Sequence, residues 1–328
     1  MSSRANPTLK SSRIRVGITL GDPSGIGPSI LVKALNSLSG KARFTVIGSN
    51  VPFEKLKLRL AADHFINIDN VKSRSFLFGK ILPEYGKASI EYLDKAMELI
   101  KRDLIDCLVT LPVSKEAVNS SGFKFSGHTE YLAKMCGIED TVMMLLNKDL
   151  KFSLVTRHIP LKDVPNKINK VNLENNIAMT ARSLKELFKL NNPRIIVCGL
   201  NPHASDNGVI GDEENRIIKP VLKKLKPKIL IDGPISADIA VALAKNKKYD
   251  CVIVMYHDQA LIPLKLTSFN TGVNLTLGLP FVRTSPLHGT AFDIAPYFNK
   301  ANPQSAIAAI KLAIQCTLNQ KKASGRIS

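Results

Sequence analysis

Residues 250–295 read DCVIVMYHDQALIPLKLTSFNTGVNLTLGLPFVRTSPLHGTAFDIA. The stretch opens on a wholly apolar run, 251–255, the pattern of a strand buried on both faces of a parallel sheet. The run stops at Tyr256-His257-Asp258-Gln259, four polar side chains together. In open α/β sheets ligands gather outside the carboxyl ends of strands, so this is where chemistry is expected. Lys265, Asn274, Arg283 and His288 follow among Gly, Pro and β-formers. Cations grouped in so apolar and glycine-rich a context point to an anion held in a cleft.

Two other segments share the plan of the first. A strand expected at 152–156 ends at Arg157-His158, and one at 194–200 ends at Asn201-Pro202-His203. With His257, each of three strands delivers one histidine just past its carboxyl end. In a chain with only 6 histidines, the three either converge on one divalent metal or are unrelated loop residues. No H-E-x-x-H or paired cysteines occur, which argues against a peptidase-like or structural zinc site. Asp238 and Asp258 are placed to orient a ligand histidine or to move a proton, Asp238 equally to cap a helix.

Further strands are expected at 14–20, 43–48 and 107–111. The first runs into GDPSGIGP at 21–28, which is neither G-x-x-x-x-G-K-[ST] nor G-x-G-x-x-G. It reads as a tight strand-to-helix turn with Pro28 near the helix start, and not as a phosphate loop. Residues 83–86 are expected to break the chain before a helix whose Leu93, Ala96, Met97 and Ile100 form one buried stripe. Ser126-Gly127-His128-Thr129-Glu130 precedes a helix to about Met135 that Ser126 or Thr129 can cap, and a helix start of this kind suits an anion. Helices are also expected at 173–190, 213–225 and 302–318. Strands and helices alternate without repeat or long linker, so the architecture is doubly wound α/β.

The 328 residues suit two packed α/β lobes better than one core. No apolar run is long enough to cross a bilayer, and the first dozen residues lack the apolar region of a secretory signal. The 5 cysteines are odd in number without C-x-x-C, which places the chain in a reducing cytoplasm, with Cys107, Cys198 and Cys251 as core residues. The net charge of +19 admits a nucleic-acid partner. Against it, Lys and Arg are scattered, not interleaved with aromatics, and Trp is absent. A positive field serves a phosphorylated substrate equally well.

GDPSGIGP, GHTE, TRHIPL, GLNPHA, MYHDQ, NLTLGLPFVRTS and HGTAFDIA fall in the order and spacing of the 4-hydroxythreonine-4-phosphate dehydrogenase family of pyridoxal phosphate biosynthesis. The resemblance covers about 14–318. It implies the two-lobed α/β/α fold of the isocitrate and isopropylmalate dehydrogenase type, with a cleft between the lobes. The lobes would be 13–125 plus 268–320 on the nucleotide side and 126–267 on the metal and substrate side, with 1–12 and 321–328 as flexible tails. It also implies a homodimer with sites shared between subunits, acting on a phosphorylated small molecule without nucleic acid or membrane.

Residue by residue, the resemblance places one divalent metal (zinc, magnesium or cobalt) on His158, His203 and His257, and substrate contacts on His128, Thr129, Lys265, Asn274 and Arg283. HGTAFDIA is similar to the nucleotide loop of the wider β-decarboxylating group, which implies cofactor contacts from His288, Gly289, Thr290, Ala291 and Asp293. A carboxylate at 293 accepts from ribose hydroxyls and repels a 2′-phosphate, favouring NAD over NADP. Lys265, Asp238 and Asp258 are the catalytic candidates. Ser29, Ile239 and Leu287 depart from the family pattern, Leu287 beside the nucleotide loop. Relatives with the same ligand set act on phosphorylated threonate or erythronate, so the resemblance leaves the substrate open among the three.

Overall fold

The computed structural model describes residues 13–323 and 325. The tail expected at 1–12 lies outside them, as do 324 and 326–328 of the tail expected at 321–328. The described strands are β1 (Arg15–Thr19), β2 (Arg43–Gly48), β3 (His64–Asn67), β4 (Cys107–Thr110), β5 (Val142–Leu146), β6 (Lys151–Leu154), β7 (Ile195–Cys198), β8 (Ile231–Ile235), β9 (Cys251–Val254), β10 (Val273–Leu277) and β11 (Val282–Pro286). The helices are α1 (Gly27–Ser37), α2 (Val51–Lys55), α3 (Pro83–Lys101), α4 (Lys115–Ser120), α5 (His128–Met135), α6 (Val164–Lys167), α7 (Lys170–Phe188), α8 (Lys219–Leu225), α9 (Ala237–Lys245), α10 (His257–Thr267) and α11 (Gln304–Ala323).

All eleven strands form one sheet in the order β3-β2-β1-β4-β11-β10-β5-β6-β9-β7-β8. Pairs from β3 to β11 are parallel, as are those from β6 through β9 and β7 to β8. Between these wings, β11–β10, β10–β5 and β5–β6 are antiparallel. The strands of 13–125 and 268–320 fill one contiguous half of the sheet and those of 126–267 the other. They meet at β10 and β5. The apolar run 251–255 is β9, buried throughout and parallel to both neighbours, as its patterning requires.

GDPSGIGP makes a tight turn. Gly21 has φ +73, and a Cβ there would lie 2.3 Å from the Pro112 carbonyl oxygen. Pro28 stands in the first turn of α1, where its missing N–H costs nothing. Residues 83–86 do not break the chain. Pro83 opens α3 and Gly86 lies inside it, packed so closely on α4 that a Cβ would meet the Ala117 carbonyl oxygen at 2.1 Å. Helix α7 starts earlier than expected because Asn169 and Asn172 form a reciprocal cap, Asn172 N donating to Asn169 Oδ1 at 2.9 Å and Asn169 N to Asn172 Oδ1 at 3.0 Å. The helix expected from 213 begins with a π-helical turn, Glu214–Ile218, before α8. Cys107, Cys198 and Cys251 are buried as expected, and burial pushes each thiol up to about 12.

The last helix runs beyond about 318 to Ala323, into the tail expected to be loose. Its Lys321 Nζ donates to Asp106 Oδ1 at 2.7 Å, and Arg15 Nη2 reaches the same oxygen at 2.6 Å while Arg15 N donates to Oδ2 at 2.8 Å. Burial alone would raise the Asp106 carboxyl, but these bonds more than offset it and hold it below the usual carboxylate range. A pKa lowered by folding stabilises fully above the unfolded value of about 3.9 and ceases to do so as pH falls through the folded value. Asp106→Asn is therefore expected to lower unfolding free energy by about 1.5–3 kcal/mol at neutral pH. Its urea denaturation series should also show a flatter loss of stability in acid than the unsubstituted protein.

Candidate active site

The sheet junction carries a deeply buried cation. Arg283, on β11, is 2% exposed. It pairs in register with Thr276 of β10 and lies beside β4. Its Nη1 donates to Thr276 Oγ1 at 3.1 Å, and its Nε to Thr110 Oγ1 at 3.1 Å, with Nη2 on the same hydroxyl. No ion pair involves it among the described residues. Burial pushes the guanidinium down to about 10, still cationic at neutral pH. A guanidinium has five N–H donors, so this one retains capacity for an anion.

A cavity of about 420 Å³ opens onto Arg283 and is also lined by His128, Thr129, Asn274, His158, His257, His288 and Gly289. The size is ordinary for a small-molecule site. His128 opens α5 behind Gly127, whose N-cap position bears no side-chain bond, so neither Ser126 nor Thr129 caps the helix. Thr129 is buried, its Oγ1 3.4 Å from that of Thr276. The enclosed Nε2 atoms of His128 and His288 and Oδ1 of Asn274 lack hydrogen-bond partners. Three orphaned polar atoms on one cavity beside a buried cation constitute a site built for a polar anionic ligand. Burial, then Arg283, then Lys115, hold the His128 imidazole well below its usual pKa. His288 is lowered first by burial and then, against a raising bond to Gly289 O, by Lys265.

Strands β6 and β9 are neighbours, so the residues beyond their ends meet. The His158 and His257 ring centroids lie 5.4 Å apart. His257 Nδ1 is 2.7 Å from Asp258 Oδ1, which leaves Nε2 free. His158 is lowered by burial and then by Lys115 and His257.

His203 does not join them. It is exposed and begins a left-handed turn, with φ of 54, 51, 71, 43 and 59 from His203 to Asn207. Such backbone costs roughly 1–2 kcal/mol per residue and needs external support. Among the described residues no three His, Cys, Asp or Glu side chains are grouped to hold a metal ion. One chain thus brings two of the three expected ligands together.

Other expected residues stand off the cavity. Lys265, late in α10, donates to the Leu287 carbonyl at 3.0 Å and lies 4.6 Å from the Phe269 ring centroid. Asp238 is exposed in the first turn of α9, behind Ser236, and so does not cap it. Asp293 is exposed, and Ala291 adopts φ 45. Thr290 belongs to the frame: its carbonyl accepts from Ile26 N at 2.8 Å, which ties the HGTAFD loop to the GDPSGIG turn.

Glu214 and Lys115 escape sequence reading, and the sequence shows Gln259 only as one of four polar side chains after β9. Glu214 is fully buried, its Oε1 accepting from Leu200 N at 2.7 Å and Asn201 N at 2.8 Å, its Oε2 from Asn201 Nδ2 at 2.9 Å. Gln259 accepts from Met255 N at 2.8 Å and donates to Gly199 O at 2.9 Å. Together they hold the approach to the His203 turn. Lys115 lines the cavity from the start of α4. Nothing in the sequence separates Glu214 from its acidic neighbours.

The fold and site define an α/β protein with a polar cleft at strand ends that holds a buried guanidinium beside a histidine pair. Residues 27–313 match the family model described as pyridoxal phosphate biosynthetic protein PdxA, and the chain belongs to that family. It is 46% identical over 319 residues to the 4-hydroxythreonine-4-phosphate dehydrogenase of a Sulfurihydrogenibium species, covering 92% of this chain and 98% of that protein. A solved putative 4-hydroxythreonine-4-phosphate dehydrogenase from Salmonella typhimurium superposes with TM-score 0.82 at 36% identity, covering 92% of this chain and 99% of that one. The Klebsiella pneumoniae 4-hydroxythreonine-4-phosphate dehydrogenase superposes with TM-score 0.84 at 33% identity over 94% and 98% of the two chains.

The hydroxyls under Arg283 give a direct test of the site's rigidity. Thr110→Val removes the acceptor of two of its bonds in a nearly isosteric exchange. It should cost about 1–3 kcal/mol in unfolding free energy. Adding a saturating phosphorylated ligand should recover part of that loss in a thermal-shift measurement.

Proposed function

We propose that this chain catalyses NAD-dependent, divalent-metal-dependent oxidative decarboxylation of 4-hydroxythreonine 4-phosphate to 3-amino-2-oxopropyl phosphate. The observation that carries this reading is Arg283, a buried guanidinium without a carboxylate that faces a cavity of unpartnered polar atoms. Membership of the PdxA family and the names of the relatives agree with it.

Arg283 holds the phosphate with two fixed hydroxyls behind it, so its orientation is set before the ligand arrives. His128 Nε2, Thr129 and Asn274 complete the phosphate end. The neutral His128 imidazole is able to donate or accept there. Asp258 sets the tautomer of His257, so that Nε2 faces outward as a ligand. When bound, the divalent ion supplies a Lewis acid and NAD the hydride acceptor. The free carboxylate of Asp293 suits ribose hydroxyls and disfavours NADP. His288 Nε2 and Gly289 offer polar contacts at the cavity rim.

The metal site fits two imidazoles of one protomer and needs a donor from outside it. We assign that donor to His203 of the partner subunit in a homodimer. Ile239, Ile262, Leu266 and Phe269 are 51%, 58%, 83% and 71% exposed on and around α9 and α10, the face that also carries Asp238 and Lys265. A second copy covering this face brings those proton-transfer candidates to a shared site. The lobes are taken as 13–125 with 268–320 and 126–267. The buried, unpaired thiols fit a reducing cytoplasm.

NADH formation with 4-hydroxythreonine 4-phosphate, beside phosphorylated threonate and erythronate, tests the reading. Preference for either sugar acid would replace the substrate and leave the site in place. Arg283→Ala should raise KM more than it lowers kcat. Equal turnover of the unphosphorylated substrate by the unsubstituted protein would refute the phosphate pocket.

Shared metal ligation has its own test. His203→Ala and His257→Ala should each lose bound metal and turnover while staying folded. Mixed after dissociation, the two variants should regain roughly a quarter of full activity, because random pairing leaves one intact site in half of the dimers. No recovery from verified hybrid dimers would place His203 and His257 on the same protomer's site.

A further inference from the structure

We propose that Lys115 receives the substrate's carboxylate, in the same cavity that holds the phosphate on Arg283. The proposal rests on the phosphorylated-hydroxy-acid reading above and assigns a second anionic subsite within it. Lys115 opens α4 immediately after the Leu111-Pro112-Val113 segment, and the backbone there is fixed. Ser114 caps the helix by accepting from Ala117 N at 3.1 Å. The lysine side chain is exposed to the cavity, which it lines with His128, His158, His257 and Arg283.

No ion pair among the described residues involves Lys115, and its ammonium has no hydrogen-bond acceptor among them. Lys265, by contrast, is engaged by a backbone carbonyl and an aromatic face. The acid nearest to hand is Glu130, which lines the same cavity, but its Oε1 is bound by Arg157 Nη1 at 2.9 Å. The space in front of Lys115 is kept open by Gly127. A Cβ there would stand 3.8 Å from the lysine Nζ and 2.9 Å from Glu130 Oε2.

Lys115 lines the cavity together with Arg283 and His128 and with the pair His158 and His257. A ligand with phosphate on Arg283 that extends toward the histidine pair occupies the space this ammonium lines. The substrate's other anion is its carboxylate, which matches the lysine in sign.

The test uses two ligands that differ only by a carboxylate: O-phosphoserine, and O-phosphoethanolamine, which lacks it. Binding of each is measured by calorimetry on the full chain, with circular dichroism to verify folding. Lys115→Ala should weaken O-phosphoserine by about tenfold or more and leave O-phosphoethanolamine unchanged, with Lys115→Arg restoring most of the difference. In steady state Lys115→Ala should raise KM for the phosphorylated hydroxy acid with a smaller change in kcat. Equal weakening of both ligands would make Lys115 a phosphate contact and overturn the proposal, as would no effect on either. Arg283→Ala must weaken both ligands alike. If it changes neither, the phosphate reading itself has failed, a result separable from any seen at Lys115.

Discussion

A guanidinium withdrawn from water without a carboxylate costs several kcal/mol unless its surroundings solvate it. Arg283 is in that position, and what replaces its water is two threonine hydroxyls from two other strands. Thr110 ends β4 and Thr276 lies in β10, the two neighbours of the strand that bears Arg283. A one-residue slip of β10 would turn Thr276 to the opposite face and put Leu275 or Leu277 beside the cation. Register at this junction is therefore set by a polar requirement as well as by the apolar pattern. The site depends on that register throughout.

The junction also explains why an antiparallel centre sits between parallel wings. Helices on both faces bury a parallel sheet, and the strand ends of each wing open on one edge. Joined through β11, β10, β5 and β6, the wings set the Arg283 end of the cavity, with β4, β10 and β11, against the histidine end, with β6 and β9. Arg283 and the histidine pair thus belong to different halves of the chain and face one cavity because the sheet is continuous.

How much of this the sequence disclosed follows from where the signals are local. β9 was legible because an apolar run bounded by polar residues has few other readings, and its terminal His257 came with it. The GDPSGIG turn was legible because its glycines and Pro28 obey local backbone sterics. Helix α10 was not, because its first turn, His257 to Gln259, looks like a polar loop after a strand and Pro263 lies within it. β3 and β8 are the two edge strands, largely part-exposed and without a continuous apolar run. Lys115 and Glu214 were invisible for another reason. Each is an ordinary residue type in a polar stretch, and only packing shows that one is unpaired in a cavity and the other wholly buried.

The His203 turn remains the most costly backbone in the molecule. Five consecutive positive φ values have no local justification in a segment where only the last residue of the turn, Gly208, is a glycine. Glu214 stiffens the entry through three hydrogen bonds from Leu200 and Asn201, and the π-helical turn that carries it is a second departure from regular geometry a few residues on. Two irregular segments are braced against each other around a histidine whose side chain has no hydrogen bond or ion pair among the described residues. Strain held this firmly is consistent with a side chain that must be presented in one orientation to a second surface. In the proposed homodimer, the apolar residues left exposed around α9 and α10 would be the surface on which such a presentation closes.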